Sequence, residues 1–125
     1  MQNGNNPRRR TDLSYEQIHE GIGYIRLFGD LDISGVQEIS LKFTTLSVTG
    51  RKPTIVDLSE VTFISSLGIG MMMADAKSLR AEGKIMILLK PNAMIEKVLK
   101  LACVPEILPI EDDLQSALNR AKLFL

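Results

Sequence analysis

Two adjacent serines, Ser65 and Ser66, followed by Leu67-Gly68-Ile69-Gly70, are the residues whose types and spacing best suit chemistry in this chain. A serine hydroxyl can act as a nucleophile, accept a phosphate or cap a helix, and the neighbouring residues discriminate. A nucleophile elbow needs Gly-x-Ser-x-Gly, but Ile64-Ser65-Ser66-Leu67-Gly68 lacks the first glycine. The one histidine, His19, also precedes the serines, where the elbow's chain order puts it last. A phosphate loop needs Gly-x-x-x-x-Gly-Lys-Ser/Thr, whereas Gly68-Ile69-Gly70 runs into Met71-Met72-Met73. The single Cys103 and His19 sit in separate stretches and form no metal-ligand cluster. Asp30 with Asp32 and Asp112 with Asp113 fit turn and helix-start roles. The sequence therefore assigns no catalytic residue, no metal and no cofactor. Two readings of Ser66 remain open: an N-cap accepting a backbone N–H two or three residues on, or a modified residue beside a partner surface.

The elements that must position these serines follow from periodicity. Residues 12–19 and 21–28 read as a hairpin turning at Glu20-Gly21, with Ile22 and Tyr24 pointing one way and Ile25 and Leu27 the other. After Gly29-Asp30-Leu31-Asp32, Ser34 and Gln37 form a capping-box pattern ahead of Val36, Ile39, Phe43 and Leu46 at helical spacing, ending near Gly50. Residues 53–58 are an apolar run suited to the sheet centre, and 61–64 read as a connection. A helix over 66–82 carries Ile69, Met72, Ala76 and Leu79 towards the sheet, with Gly83 as its left-handed cap. Leu67, Met71, Ala74 and Ser78 form a second stripe roughly opposite, either packing on a neighbouring element or presenting an exposed patch. A strand follows at 85–89. Next come a helix with Pro91 in its first turn and Ile95, Val98, Leu99 and Ala102 on its apolar face, an edge strand within 104–110, and a helix capped by Asp112 or Asp113. The order β-β-α-β-α-β-α-β-α predicts an α/β sandwich: a mostly parallel sheet of about five strands with an N-terminal antiparallel hairpin and four packed helices.

Composition bounds the function. A chain of 125 residues with 45% hydrophobic and 24% charged residues suits one domain, with a core that needs no disulfide or metal staple. Fifteen basic and fifteen acidic residues leave no electrostatic footprint for nucleic acid or an anionic membrane. Residues 1–11, carrying Arg8-Arg9-Arg10, read as a disordered basic tail before a domain at 12–125. With no apolar run of about 20 residues and no signal-like segment, the expected setting is cytoplasmic.

The chain resembles the STAS family, the domain shared by sulphate transporters and bacterial anti-sigma-factor antagonists. The resemblance rests on Gly29-Asp30-Leu31-Asp32, on Asp57-Leu58-Ser59-x-Val61-x-Phe63-Ile64-Ser65-Ser66-x-Gly68, and on Glu111-Asp112-Asp113-Leu114-x-x-Ala117-Leu118. It implies a switch and not an enzyme: the antagonist binds an anti-sigma serine kinase of the GHKL-type fold, frees a sigma factor, and is inactivated when the kinase phosphorylates the position here occupied by Ser66. A serine phosphatase would reset it. Asp30, Ser59, Ser65, Ser66, Leu67 and Gly68 are the partner-binding residues on the motifs of the resemblance, Met71 joins them from the second helix stripe, and the chain would be a monomer or weak homodimer. Leu67 departs from the small residue usual there. Alternative roles are a scaffold or accessory subunit of a stress-sensing or lipid-transport complex, or a module binding a small molecule or nucleotide through residues 65–70.

Overall fold

The computed structural model describes residues 7–19 and 21–125. β1 (Asp12–His19) and β2 (Ile22–Leu31) pair antiparallel across Gly21, whose φ of +82° suits a residue without Cβ. Helix α1 (Ile33–Thr44) continues through one π-helical turn at Thr45–Thr49 into β3 (Thr54–Ile64). Then come α2 (Ser66–Ala81), β4 (Met86–Leu89), α3 (Ala93–Leu101), a 3₁₀ turn (Val104–Glu106), β5 (Ile110–Glu111) and α4 (Leu114–Lys122). The sheet order is β1-β2-β3-β4-β5, parallel from β2 onward, so the apolar run of β3 is indeed central.

The period-two alternation sorts the core between the two faces of the sheet. Ile25, Leu27, Val56, Leu58, Met86 and Leu88 pack with residues of α1, α2 and α3, while Ile22, Tyr24, Ile55, Ile87 and Leu89 pack with Ala117 and Ala121 of α4. Met72, Ala76 and Leu79 of α2 are buried as their spacing predicts. Gly83, at φ +76°, ends that helix, with the Lys84 amide donating to the Leu79 carbonyl at 2.9 Å.

Four local expectations need correction. Residues 61–64 belong to β3, because β2 keeps pairing with it as far as Leu31 and Ile64 and absorbs two register shifts on the way. The expected strand within 104–110 shrinks to the 3₁₀ turn and the two residues of β5. In α3 only Ile95 and Leu99 are buried; Val98 and Ala102 face outward, and the helix starts after Asn92, so Pro91 precedes its first turn. Arg8, Arg9 and Thr11 are tied down by hydrogen bonds described below, against the expectation of a loose stretch; residues 1–6 of that stretch lie outside the described residues.

Candidate functional site

Because β2, β3, β4 and β5 run parallel, all four helices begin at the same end of the sheet. Each start is capped by the residue just before it: Asp32, Ser65, Asn92 and Asp113 accept from the amides of Gly35, Gly68, Ile95 and Ser116. The caps for α1 and α2 differ from those expected. Asp32 caps α1, and Ser34 lies inside the first turn, its hydroxyl 3.3 Å from Asp32. Ser65, not Ser66, caps α2. Its hydroxyl donates to the Leu31 carbonyl at 2.7 Å and accepts from the Gly68 amide at 3.2 Å, and its own amide donates to Leu31 at 2.9 Å. Ser65 thus stitches the ends of β2 and β3 to the start of α2.

Ser66 takes no part in the cap. It is the first residue of α2, exposed, and its hydroxyl makes no hydrogen bond among the described residues. Helix geometry leaves the Ser66 and Leu67 amides without intrahelical acceptors, so the position favours an anion through unpaired N–H groups and the helix dipole.

Exposed apolar side chains surround this end of the sheet. Leu67 is 45% exposed beside Ser66, while Ile33, the first residue of α1, and Phe63 near the end of β3 are 63% and 50% exposed. Ile33 and Phe63 share a shallow hollow with Asp32 and Ser65. The sequence reading did not select either residue, because a single apolar residue between polar ones carries no periodic signal.

A longer groove runs from Ser66 down between α1 and α2, lined by Val36, Ser40 and Thr44 on one wall and Leu67, Met71 and Asp75 on the other. The second α2 stripe therefore faces α1 and this groove. Ser78 falls outside it, beside the π-helical turn.

The other expected contact residues separate by position. Gly68 is buried: a Cβ there would lie 3.1 Å from Ile64 Cγ1 and 3.2 Å from the Leu31 carbonyl, so its lack of a side chain lets α2 approach the sheet. Ser59 is exposed on β3, five residues before Ile64, or about 16 Å along an extended strand. The structure does not bring it to Ser66. Asp57 is buried inside β3, accepting from the Tyr24 hydroxyl, from Arg26 Nε at 3.3 Å and from the Ser59 amide at 2.8 Å. Burial pushes its carboxyl up, but the bonds from Ser59 and Tyr24 and the Arg26 charge outweigh that and leave it below the ordinary carboxylate value.

Asp30 stands at the mouth and joins three segments. One carboxylate oxygen accepts from Thr62 of β3 at 2.5 Å and the other from the Arg9 amide at 3.0 Å, while the Asp30 carbonyl accepts from the Thr11 hydroxyl at 2.6 Å. Arg8 Nε donates to Asp32 at 2.6 Å, and that bond, with the one from the Gly35 amide, holds the Asp32 carboxyl down at about 2. Residues 8–11 form a strap across the β2–α1 turn, and two glycines make room for it. A Cβ at Gly29 would lie 2.0 Å from the Arg10 carbonyl oxygen, and one at Gly35 would lie 2.1 Å from Thr11 Oγ1. Among the described residues there is no cluster of histidine, cysteine, aspartate or glutamate suited to a metal ion, and no helix long and apolar enough to cross a membrane.

Comparison with known proteins agrees with this geometry. An anti-sigma F factor antagonist of Lysinibacillus sphaericus is 33% identical over 79 residues, covering 62% of this chain and 68% of that protein. The structure of the anti-sigma factor antagonist SpoIIAA in its unphosphorylated form superposes with a TM-score of 0.69 at 26% identity, over 89% of this chain and 98% of that one. The Bacillus cell fate determinant SpoIIAA in its phosphorylated form matches at a TM-score of 0.65 and 23% identity, over 87% and 98% of the two chains. The model of the STAS domain matches residues 16–117, which runs from the middle of β1 through the rest of the sheet and Ser66 to the first half of α4, and the chain belongs to the STAS domain family.

Proposed function

We propose that this chain is an anti-sigma factor antagonist whose state is set by phosphorylation of Ser66. Unphosphorylated, it docks through the Ser66 end of the sheet on an anti-sigma serine kinase of the GHKL type and so releases a sigma factor. The kinase transfers the γ-phosphate of its own ATP to Ser66 Oγ, and a serine phosphatase reverses the step. The chain is the substrate and brings no cofactor. It works in the cytoplasm, where sigma factors act.

The carrying observation is the division of labour between the two serines. Ser65 uses its hydroxyl in the fold; Ser66 is exposed at the first helical position with its hydroxyl unused, beside Leu67 and at the same end of the sheet as the exposed side chains of Ile33 and Phe63. The names of the relatives support the same reading, as does the existence of SpoIIAA in phosphorylated and unphosphorylated forms. A purified kinase of this class with ATP should add one phosphate to the wild type and none to Ser66→Ala, read by intact mass. Ser66→Glu should lose kinase binding while keeping the wild-type circular dichroism spectrum. A phosphate that persists in Ser66→Ala, or undiminished binding by a folded Ser66→Glu, refutes the assignment.

A further inference from the structure

Asp75 is the one acidic residue of α2, and the helix places it on its buried side, about 60° around the axis from Met72. It is 8% exposed and lines the α1–α2 groove. Among the described residues its hydrogen-bond partner is the Thr44 hydroxyl, which donates to one carboxylate oxygen at 2.8 Å. The electrostatic influences on it are burial, which pushes its carboxyl up, and that one bond, which opposes the shift; no cation of the described chain contributes. A buried carboxylate with one hydrogen bond and no counter-ion is a cost to the free protein. A leucine or alanine would fill the position more cheaply; Val36, Leu67, Met71 and Ala74 line the groove without a donor, and of the polar residues that also line it, Gln37, Ser40 and Ser66, none hydrogen-bonds the carboxylate. The groove is open to solvent and continuous with Ser66, so a donor can arrive from outside.

We infer that the α1–α2 groove receives an arginine or lysine side chain of the anti-sigma partner and that Asp75 is its anchor. The inference rests on the function proposed above and adds the chemistry of the contact. The aliphatic stem of the incoming residue lies along Met71, one helical turn before Asp75, while its charged head reaches the free oxygen of Asp75, an arrangement that suits a long basic side chain. The anchor sits nine residues beyond Ser66, about 14 Å along the helix, which makes it a second point of contact distinct from the phosphorylated mouth.

The test compares wild type with Asp75→Asn, which keeps the shape and the acceptor for Thr44 but removes the charge. Affinity for the kinase that phosphorylates Ser66 should fall ten- to a hundredfold, while the urea midpoint of the free variant stays equal to or rises above that of the wild type. Equal affinity of the two proteins overturns the inference and leaves the Ser66 switch intact. So does a large stability loss in free Asp75→Asn, which would make Asp75 an internal structural residue. Should wild type itself fail to bind, the proposed function falls, and the groove is judged by titration with N-acetylarginine amide against its neutral isostere N-acetylcitrulline amide. A saturable shift of the Asp75 carboxyl carbon resonance with the arginine compound alone supports the anchor; no shift, or the same shift with both, refutes it. A homodimer on gel filtration that Asp75→Asn dissolves assigns the groove to a second copy and also overturns it.

Discussion

Replacing each serine of the pair by alanine separates fold from switch. Ser65→Ala removes the cap on the Gly68 amide, worth about 1 kcal/mol, and the hydroxyl bond to the Leu31 carbonyl, worth roughly 0.5–1 kcal/mol. Leu31 keeps its bond from the Ser65 amide at 2.9 Å, so no buried carbonyl is orphaned and no larger penalty enters. The expected loss is about 1.5–2 kcal/mol, which lowers the urea midpoint by roughly 1 M and the melting temperature by about 6–8 °C in a domain of this size. Ser66→Ala removes an exposed hydroxyl that makes no hydrogen bond, and stability should change by no more than about 0.5 kcal/mol. Urea unfolding followed by circular dichroism measures both. If Ser66→Ala proves as costly as Ser65→Ala, the Ser66 hydroxyl is part of the cap and the argument that it is held free for phosphorylation fails.

The strap and the mouth lead to further expectations. Gly29→Ala forces an L-residue into φ +80° and drives a Cβ into the Arg10 carbonyl; it should cost more than about 2 kcal/mol in the full chain but only about 1 kcal/mol in a chain starting at Asp12, where the strain of the positive φ alone remains. A penalty that does not shrink on truncation would show that residues 8–11 do not lie over Gly29. Asp32, held down at about 2, contributes stability that is fully present above its unfolded value near 4 and lost as pH falls towards 2. Acid titration of Arg8→Gln should show a shallower loss across that window than wild type, and parallel curves would remove the pair from the account. Asp75 acts with the opposite sign: its raised folded value favours the protonated form, so Asp75→Asn should gain stability relative to wild type as pH rises through that value. Phe63→Asp and Ile33→Asp, both at exposed positions, should leave the melting temperature within about 3 °C yet weaken kinase binding at least tenfold by calorimetry; unchanged binding would move the docking surface elsewhere.

The elements were legible wherever burial imposes a period. Tyr24 and Ile25 sit on opposite faces of β2 as alternation requires, and Met72, Ala76 and Leu79 form the buried stripe of α2. What the sequence left ambiguous were choices of one or two residues. Asp32-Ile33-Ser34 offers two possible caps and Ser65-Ser66 two more, and the outcome depends on where the preceding strand releases the chain: Ser65 is held at Leu31 by both its amide and its hydroxyl, which only the pairing of β2 with β3 can reveal. Ser59, Glu60 and Thr62 made the end of β3 look like a loop, although they occupy the exposed positions of a strand that outruns β4, which pairs only as far as Asp57. The strap was hidden for a related reason, since a polar arginine-rich segment looks solvated until Gly29 and Gly35 are seen to clear its path. Asp75 does leave a signal, an acidic residue inside the apolar arc of a helix, but the helical period alone does not say whether its carboxylate is buried or reaches solvent.

These placements favour one account of how a phosphate would end docking. A phosphoserine carries about −1.5 to −2 charges, and two explanations compete: it melts the start of α2, or it spoils the surface. The first is disfavoured, because the phosphate would stand over the Ser66 and Leu67 amides at the positive end of the helix, and the Ser65 cap does not involve Ser66 at all. The second follows from the neighbours. Ile33, Phe63 and Leu67 supply no donor, and the carboxylates of Asp30 and Asp32 already face the same end of the sheet with Arg8 committed to Asp32. A partner closing over that mouth would bury a dianion without a counter-ion, at a cost of several kcal/mol, and since each 1.4 kcal/mol is tenfold, affinity would fall more than a hundredfold. An anchor at Asp75 would not rescue the complex. At about 14 Å it lies beyond the roughly 8 Å screening length of physiological salt, so the basic residue it holds cannot neutralise the phosphate, and the two contacts would act as separate terms in one binding equilibrium.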